Sequence, residues 1–127
     1  TQVTAAHGHL AFYGAYVAIN LAVMSYAFPA LRGRDPYNQA ANMAAFWLMT
    51  GGMAAMTFTL TFAGTIQTHL QRVIGEDYMA VQDQLGLFYL IRFVAGAAIV
   101  LGALLFIGAI AFPHRRRPAA AALNPAE

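Results

Sequence analysis

The chain has 127 residues, of which 60% are hydrophobic and only 9% are charged, with a formal net charge of +2. Soluble domains average about 25% charged and roughly 45–50% apolar residues, so this composition indicates a membrane protein. The absence of cysteine excludes disulfides, iron–sulfur clusters and thiolate zinc sites, and the small, scattered positive charge argues against a nucleic-acid partner.

The first apolar run covers about residues 7–31 and is long enough to cross a membrane as a helix, since about 20 apolar residues suffice. Two histidines, His7 and His9, stand at its beginning, and the helix-breaking Pro29 stands near its end. The chain begins at Thr1 without a recognisable signal peptide. A start that leads straight into an apolar run suggests a piece of something longer.

Two further apolar runs, about residues 43–70 and 85–112, predict a second and a third membrane-spanning helix. We therefore expect an all-α, multi-pass membrane fold with residues 1–112 as a three-helix segment. The charged residues fall between the runs, in the predicted loops 32–39 and 72–84. Small residues spaced four apart predict close helix contacts in the first and third spans: Gly14, Ala18, Ala22, Ala98 and Gly102.

The distribution of arginine predicts the orientation in the membrane. With three spans, the first loop and the basic tail, residues 113–127, lie on the same side and hold Arg32, Arg34, Arg115, Arg116 and Arg117. The opposite side has Arg72 together with three acidic residues. The positive-inside rule places the arginine-rich side in the cytoplasm, so the two histidines would lie near the periplasmic surface. The tail is predicted to be disordered and to anchor on anionic lipid.

Helical geometry restricts what the histidine pair can bind. Residues advance about 100° each, so the side chains of His7 and His9 would point about 200° apart and could not chelate one ion. Either each histidine serves a different centre, or neither is a ligand and both are interfacial residues. On a regular helix the face below His9 would show Tyr13, Tyr16 and Asn20. The face below His7 would show small residues. A planar macrocycle held edge-on to the membrane could lie against either face of the helix.

Arg92 stands inside the third run, where an unpaired arginine costs about 2.5–3.5 kcal/mol on insertion scales. It could pair with Asp77 or Asp83, or extend its guanidinium to the interface. His69 at the end of the second run is expected to be an interfacial anchor. Aromatic and methionine residues of the second run are expected to pack against other helices and lipid: Phe46, Trp47, Met49, Met53 and Met56.

A resemblance to a known family is carried by TAAHGHLAFYGAYVAINLAVMSYAFP, followed in the same order by FWLMT, LQR, QDQL and FYLIR. The chain resembles the catalytic subunits of bacterial cytochrome c-dependent nitric oxide reductases, members of the haem-copper oxidase superfamily. The resemblance extends from Thr1 to about Phe112 and implies the last three helices of a twelve-helix bundle. It implies that His7 is the axial ligand of the high-spin haem b at the catalytic site. It also implies that His9 is an axial ligand of the low-spin haem b. The resemblance assigns no role to Arg92, for which a haem propionate is a further possible partner.

The reaction implied by the resemblance converts two nitric oxide molecules, two electrons and two protons into nitrous oxide and water. The implied cofactors are two haem b groups and, in the full subunit, a non-haem iron whose ligands are not in this chain. This portion alone is therefore expected to be inactive. The implied partners are the remainder of the catalytic subunit, a cytochrome c-type membrane subunit and lipid of the bacterial inner membrane. The residues leave open a structural membrane subunit without haem, or a haem-copper relative that uses quinol or oxygen.

Overall fold

The computed structural model describes residues 1–32 and 38–112. Within these two ranges all regular structure is helical, which confirms the predicted all-α class. The elements are α1 (Gln2–Phe12), a first π-helical turn (Tyr13–Ala18), α2 (Ile19–Arg32), α3 (Gln39–His69), a second π-helical turn (Leu70–Ile74), α4 (Tyr78–Gln84) and α5 (Gly86–Ala111). The predictions for Arg34 and for the disordered basic tail concern residues outside the described ranges.

Three stretches of helix in the described ranges are long and apolar enough to cross a membrane, and they are Gln2–Leu31, Gln39–Ile74 and Gly86–Ala111. The chain is thus a multi-pass membrane protein with the three spans that the sequence predicts. Pro29 lies inside α2 and does not end it. A proline removes one backbone hydrogen bond, which spans of membrane proteins tolerate.

The second span has a defined beginning and end. At its beginning the side chain of Asn38 accepts a hydrogen bond from the backbone N–H of Ala41 at 3.2 Å, which satisfies a free donor of the first turn of α3. At its end Gly75 adopts φ 81°, a left-handed conformation that favours glycine. The next N–H, that of Glu76, then donates to the carbonyl of Leu70 at 3.0 Å and closes the helix.

The predicted loop 72–84 contains an additional helix, α4, and the expectation of a loop was wrong in this respect. Asp77 caps α4 by accepting a hydrogen bond from the N–H of Met79 at 3.1 Å. Val81 and Leu85, four residues apart, are fully buried against Ala63 of α3. Burial of this apolar pair explains why the connection folds back on the bundle as a helix.

Helix α3 is the centre of the bundle, because both α1 and α5 pack against it. Three buried glycine positions allow the close approach. A Cβ at Gly52 would lie 2.8 Å from the carbonyl oxygen of Ala95, and a Cβ at Gly102 would lie 2.5 Å from Cγ of Met49. A Cβ at Gly64 would collide with the backbone nitrogen of Val3 on α1. The helices therefore meet backbone to backbone, as small residues permit in lipid.

The predicted small-residue contacts are confirmed at Gly102 but not at Gly14, where an added Cβ would meet no atom within 4 Å. The methionines of the second run form the core as predicted. Met49, Met53 and Met56 are buried in one cluster with Ala6 and Tyr13 of the first span. Phe46 and Trp47 are 52% and 64% exposed, so they lie on an outer surface of the bundle.

We predict that Gly64→Ala weakens the packing of the first span against α3. The new methyl group would meet the backbone nitrogen of Val3 and the backbone carbonyl carbon of Gln2, which cannot rotate away as a side chain can. Overpacking of this kind costs about 1–3 kcal/mol of folding free energy. The free energy of unfolding in mixed micelles measures the effect.

Gly51→Ala is the matched control, because a Cβ at Gly51 meets no atom within 4 Å. We expect this control to be neutral or slightly stabilising, since alanine has the higher helix propensity. Equal stability of the two variants would contradict the packing described above.

Candidate functional site

The two histidines flank the face of α1 that packs against α3. Ala6 is almost completely buried and marks the direction of α3 as seen from α1. At about 100° per residue, His7 points about 100° to one side of Ala6 and His9 about 60° to the other. Both histidines are exposed within the described part of the chain. The observed helix therefore presents them to two different surroundings.

The ring of His9 is held by its own helix. Its Nδ1 lies 2.7 Å from the carbonyl oxygen of Ala5, one turn earlier. A carbonyl oxygen only accepts hydrogen bonds, so Nδ1 carries the proton and donates it. In the neutral ring Nε2 is then the unprotonated nitrogen, and its lone pair is available to a metal ion. Fixation of one ring nitrogen by a backbone carbonyl is the usual arrangement of metal-binding histidines.

His9 borders two apolar grooves on the surface of the bundle. One groove of about 440 Å³ lies on the side of the first π-helical turn, and its lining residues are Ala5, Gly8, His9, Phe12, Tyr13, Val17, Met53 and Ile99. The other groove, of about 590 Å³, lies toward α5, and its lining residues are His9, Met56, Tyr89, Arg92, Phe93, Gly96, Ala97 and Val100. Volumes of several hundred Å³ with mostly apolar walls are typical of cofactor sites.

The surface around His7 is open. Ala11 and Gly14, which follow His7 on the same face, are exposed, and nothing lies near Gly14. His7 has no hydrogen bond to any residue in the described ranges 1–32 and 38–112. A flat ring or another helix could therefore approach this face closely.

The first π-helical turn changes the face predicted below His9. Tyr13 is buried, and its hydroxyl lies 3.2 Å from Oγ1 of Thr50 on α3. Tyr16 is 62% exposed, and the side-chain amide of Asn20 donates to the carbonyl of Tyr16. Of the three residues in the predicted stripe, Tyr13 lines a groove with His9, whereas Tyr16 and Asn20 are not among the lining residues of that groove. A wider turn shifts the register, and a regular period of 3.6 residues does not anticipate this.

Hydrogen-bonded polar side chains join the helices at the end of the bundle where the first span begins. The sequence analysis did not predict this polar chain. The backbone N–H of Gln2 donates to Oε1 of the buried Gln67 at 3.1 Å. The side-chain amide of Gln2 donates to the hydroxyl of Tyr89 at 3.1 Å, and this hydroxyl donates to Oε1 of Gln82. The chain thus connects α1 to α3, α5 and α4, and it fixes the height of the histidines relative to α5.

Among residues 1–32 and 38–112 no group of three histidine, aspartate or glutamate residues could hold a metal ion. Each histidine could therefore contribute one ligand to an iron whose other ligands come from a porphyrin and from outside the described residues. The residues present fit such a group: His9 has an oriented ring with Nε2 available, and apolar grooves lie on both sides of it.

Comparison with known proteins gives the family. Residues 1–112 match the family described as cytochrome c and quinol oxidase polypeptide I. The chain belongs to this family of haem-copper oxidases. It is also 44% identical over 115 residues to a nitric oxide reductase subunit of Stutzerimonas stutzeri, an alignment that covers 84% of the chain. The chain spans only 24% of the length of that relative.

Membership of this family confirms the resemblance drawn from the histidine-containing stretch. The three long apolar helices of the chain agree with membership of this membrane oxidase family.

The structure also gives the positions of His69 and Arg92. His69 is exposed at the end of α3, and Arg92 lines the groove toward α5. Neither Asp77 nor Asp83 forms an ion pair with Arg92 in the described structure.

We predict that the hydrogen bond between Tyr13 and Thr50 couples the first π-helical turn to α3. A double-mutant cycle of Tyr13→Phe and Thr50→Val should give a coupling of about 0.6 kcal/mol, the average for side-chain bonds between membrane helices. The free energy of unfolding in mixed micelles gives the value.

Tyr16→Phe is the matched control, because it removes the same hydroxyl from an exposed position. We expect no measurable change in stability from this control. A coupling of zero, or an equal cost of the two tyrosine substitutions, would show that the turn is not held by this bond.

Proposed function

We propose that the chain is the C-terminal, haem-binding part of the catalytic subunit of a nitric oxide reductase. In this proposal His9 binds the iron of a low-spin haem b and His7 binds the iron of the high-spin haem b at the catalytic site. The observation that carries the proposal is the ring of His9, with Nδ1 fixed by the carbonyl of Ala5 and Nε2 available beside apolar grooves.

The relative supports nitric oxide as the substrate. A protein named as part of a nitric oxide reductase is 44% identical to the chain over 115 residues. The proposed reaction is the reduction of two nitric oxide molecules to nitrous oxide and water. When bound, the haems and a non-haem iron would supply the redox chemistry. The rest of a twelve-helix catalytic subunit would supply the ligands of the non-haem iron and the second ligand of the low-spin haem.

The residues of this chain would hold and orient the two haems. The hydrogen bond of His9 to Ala5 sets the plane of the imidazole and prevents Nδ1 from competing for the iron. The exposed Ala11 and Gly14 would let a ring lie close to the helix on the side of His7. One helix between the two haems would keep them a short, fixed distance apart, which favours electron transfer between them.

The arginine distribution supports a location in the bacterial inner membrane with the histidines near the periplasmic side. A cytochrome c-type membrane subunit would deliver electrons from that side. Lipid and the other helices of the subunit would together cover the outer surfaces of these three spans, including the exposed Phe46 and Trp47.

An oxygen reductase is the second candidate, and the description of the family, which names cytochrome c and quinol oxidases, favours it. The purified enzyme separates the two: a nitric oxide reductase consumes nitric oxide anaerobically and forms nitrous oxide, whereas an oxidase turns over with oxygen alone.

We predict that single alanine substitutions separate the two haems. In the full enzyme, His9→Ala should perturb the optical and electron paramagnetic resonance signals of the low-spin haem. His7→Ala should remove the high-spin signal and abolish turnover. His69→Ala is the matched control, since His69 is an exposed histidine outside both grooves. We expect it to leave both signals unchanged.

A pyridine haemochrome assay on the purified enzyme measures total haem. Two intact haem spectra and full turnover in both His7→Ala and His9→Ala would refute the assignment of the ligands. An enzyme without any haem would instead indicate the structural subunit that the sequence left open.

A further inference from the structure

A further cavity, of about 150 Å³, lies between the three spans and is not lined by either histidine of the first span. The first span, α3 and α5 all contribute to its walls. Most of the lining residues are apolar, but four carry polar side chains, and these are Tyr13, Ser25, Asn42 and Thr50. Polar groups within a span usually face other helices or a water-filled cavity, because lipid offers them no hydrogen bonds.

Two of the four polar side chains have hydrogen-bonding groups to spare. The hydroxyl of Ser25 and the amide of Asn42, both partly buried, form no hydrogen bond to any residue of the ranges 1–32 and 38–112. Other polar side chains of the same spans bind the carbonyl one turn earlier, as Thr61 does at 2.8 Å and Asn20 at 2.6 Å. Such a bond satisfies a side chain within its own helix. Ser25 and Asn42 lack it, so their polar groups are free to bind a molecule in the cavity.

The other two polar side chains are only partly satisfied by each other. The hydroxyls of Tyr13 and Thr50 lie 3.2 Å apart and share one hydrogen bond. Each hydroxyl has one hydrogen and two lone pairs, so one bond leaves a hydrogen and several lone pairs without a partner. The four side chains together therefore present both donors and acceptors to the cavity.

The ends of the cavity differ in their surroundings. Asn42 lies three residues after Gln39, the start of α3, or about 4.5 Å along that helix. It therefore stands at the edge of the apolar run 43–70, where the headgroup region begins and water is available. Tyr13 lies deeper, and it also lines the apolar groove beside His9. The tyrosine is thus part of the wall between the cavity and that groove.

We propose that this cavity is an internal water site, in which ordered water binds Ser25, Asn42 and the pair of Tyr13 and Thr50. A buried water typically has about 2–4 polar partners and takes about 30 Å³ of liquid volume, so the cavity has both the groups and the room for several molecules. Tyr13 separates this water from the apolar groove beside His9. The inference does not depend on the proposed function.

An apolar occupant is the alternative, because Phe46, Met49 and Phe106 also line the cavity. A lipid acyl chain or a dissolved gas would leave the hydroxyl of Ser25 and the amide of Asn42 without partners. Unpaired polar groups in apolar surroundings are costly, whereas a cavity that stays dry is lined by apolar groups alone. The four polar side chains therefore favour water.

The first test is a high-resolution structure of the purified full enzyme and of three variants. We expect ordered water within hydrogen-bond distance of Oγ of Ser25 and of the side-chain amide of Asn42. Ser25→Ala and Asn42→Leu should each lose the water bound to the substituted residue. Asn20→Leu is the matched control for the asparagine, since Asn20 does not line the cavity, and it should keep all of the water.

X-ray radiolysis gives a second measurement, because bound water forms hydroxyl radicals that oxidise the side chains beside it. Met49 and Met56 are buried to the same degree, at 4% and 5% exposed, but only Met49 lines this cavity. We expect oxidation of Met49 in the unsubstituted enzyme and its loss in Asn42→Leu. Oxidation of Met56 should be the same in both, and Asn20→Leu should change neither methionine.

A cavity without ordered water in the unsubstituted enzyme would overturn the inference, whether it is dry and takes up xenon or is filled by a lipid chain or a side chain of another helix. Equal oxidation of Met49 in the unsubstituted enzyme and in Asn42→Leu would also contradict it. If Asn42→Leu does not fold, Ser25→Ala and the unsubstituted enzyme still decide the question. Each of these results leaves the proposed function unaffected, since no haem ligand is changed.

Discussion

The close approach of α1 to α3 at Gly64 determines how the rest of the site is arranged. The backbone of Val3 lies against this glycine so tightly that a single added carbon would collide with it. This contact fixes the rotation of α1 about its axis, with Ala6 directed toward the core. Once Ala6 points inward, the spacing of the histidines places His9 and His7 on opposite flanks of the helix. The directions of both candidate ligands are therefore consequences of one backbone contact.

Two polar features supplement this contact. Gln2 bridges from α1 to Gln67 and Tyr89, so the beginning of the first span is held at one height relative to α3 and α5. In an apolar bundle these polar groups have few other hydrogen-bond partners. Their bonds therefore restrict how far one helix can slide along another, which packing alone restricts less. The bond between Tyr13 and Thr50 holds the following π-helical turn, after which the first span continues with a shifted register. Turns of this type recur near functional sites, and this one begins four residues after His9.

The fold was predictable from the sequence because its main determinants are local. The length and hydropathy of each apolar run predict the three spans, and the spacing of His7 and His9 predicts two separate surroundings. Three details were not predictable. The burial of Val81 and Leu85 against Ala63 depends on contacts between distant residues, so the local pattern predicted a loop where α4 forms. The π-helical turn after Phe12 changes the register of the first span, and a regular period of 3.6 residues does not predict it. The groove that His9 shares with Arg92 joins residues far apart in the chain, and no local pattern records it.

The central claim is that the helix bearing the two histidines separates two haems. A structure of the assembled enzyme with iron located by anomalous scattering tests it most directly. We expect one iron within bonding distance of Nε2 of His9 and a second iron within bonding distance of the ring of His7, on the opposite side of the first span. A single iron near the pair, or two irons both distant from these rings, would contradict the claim.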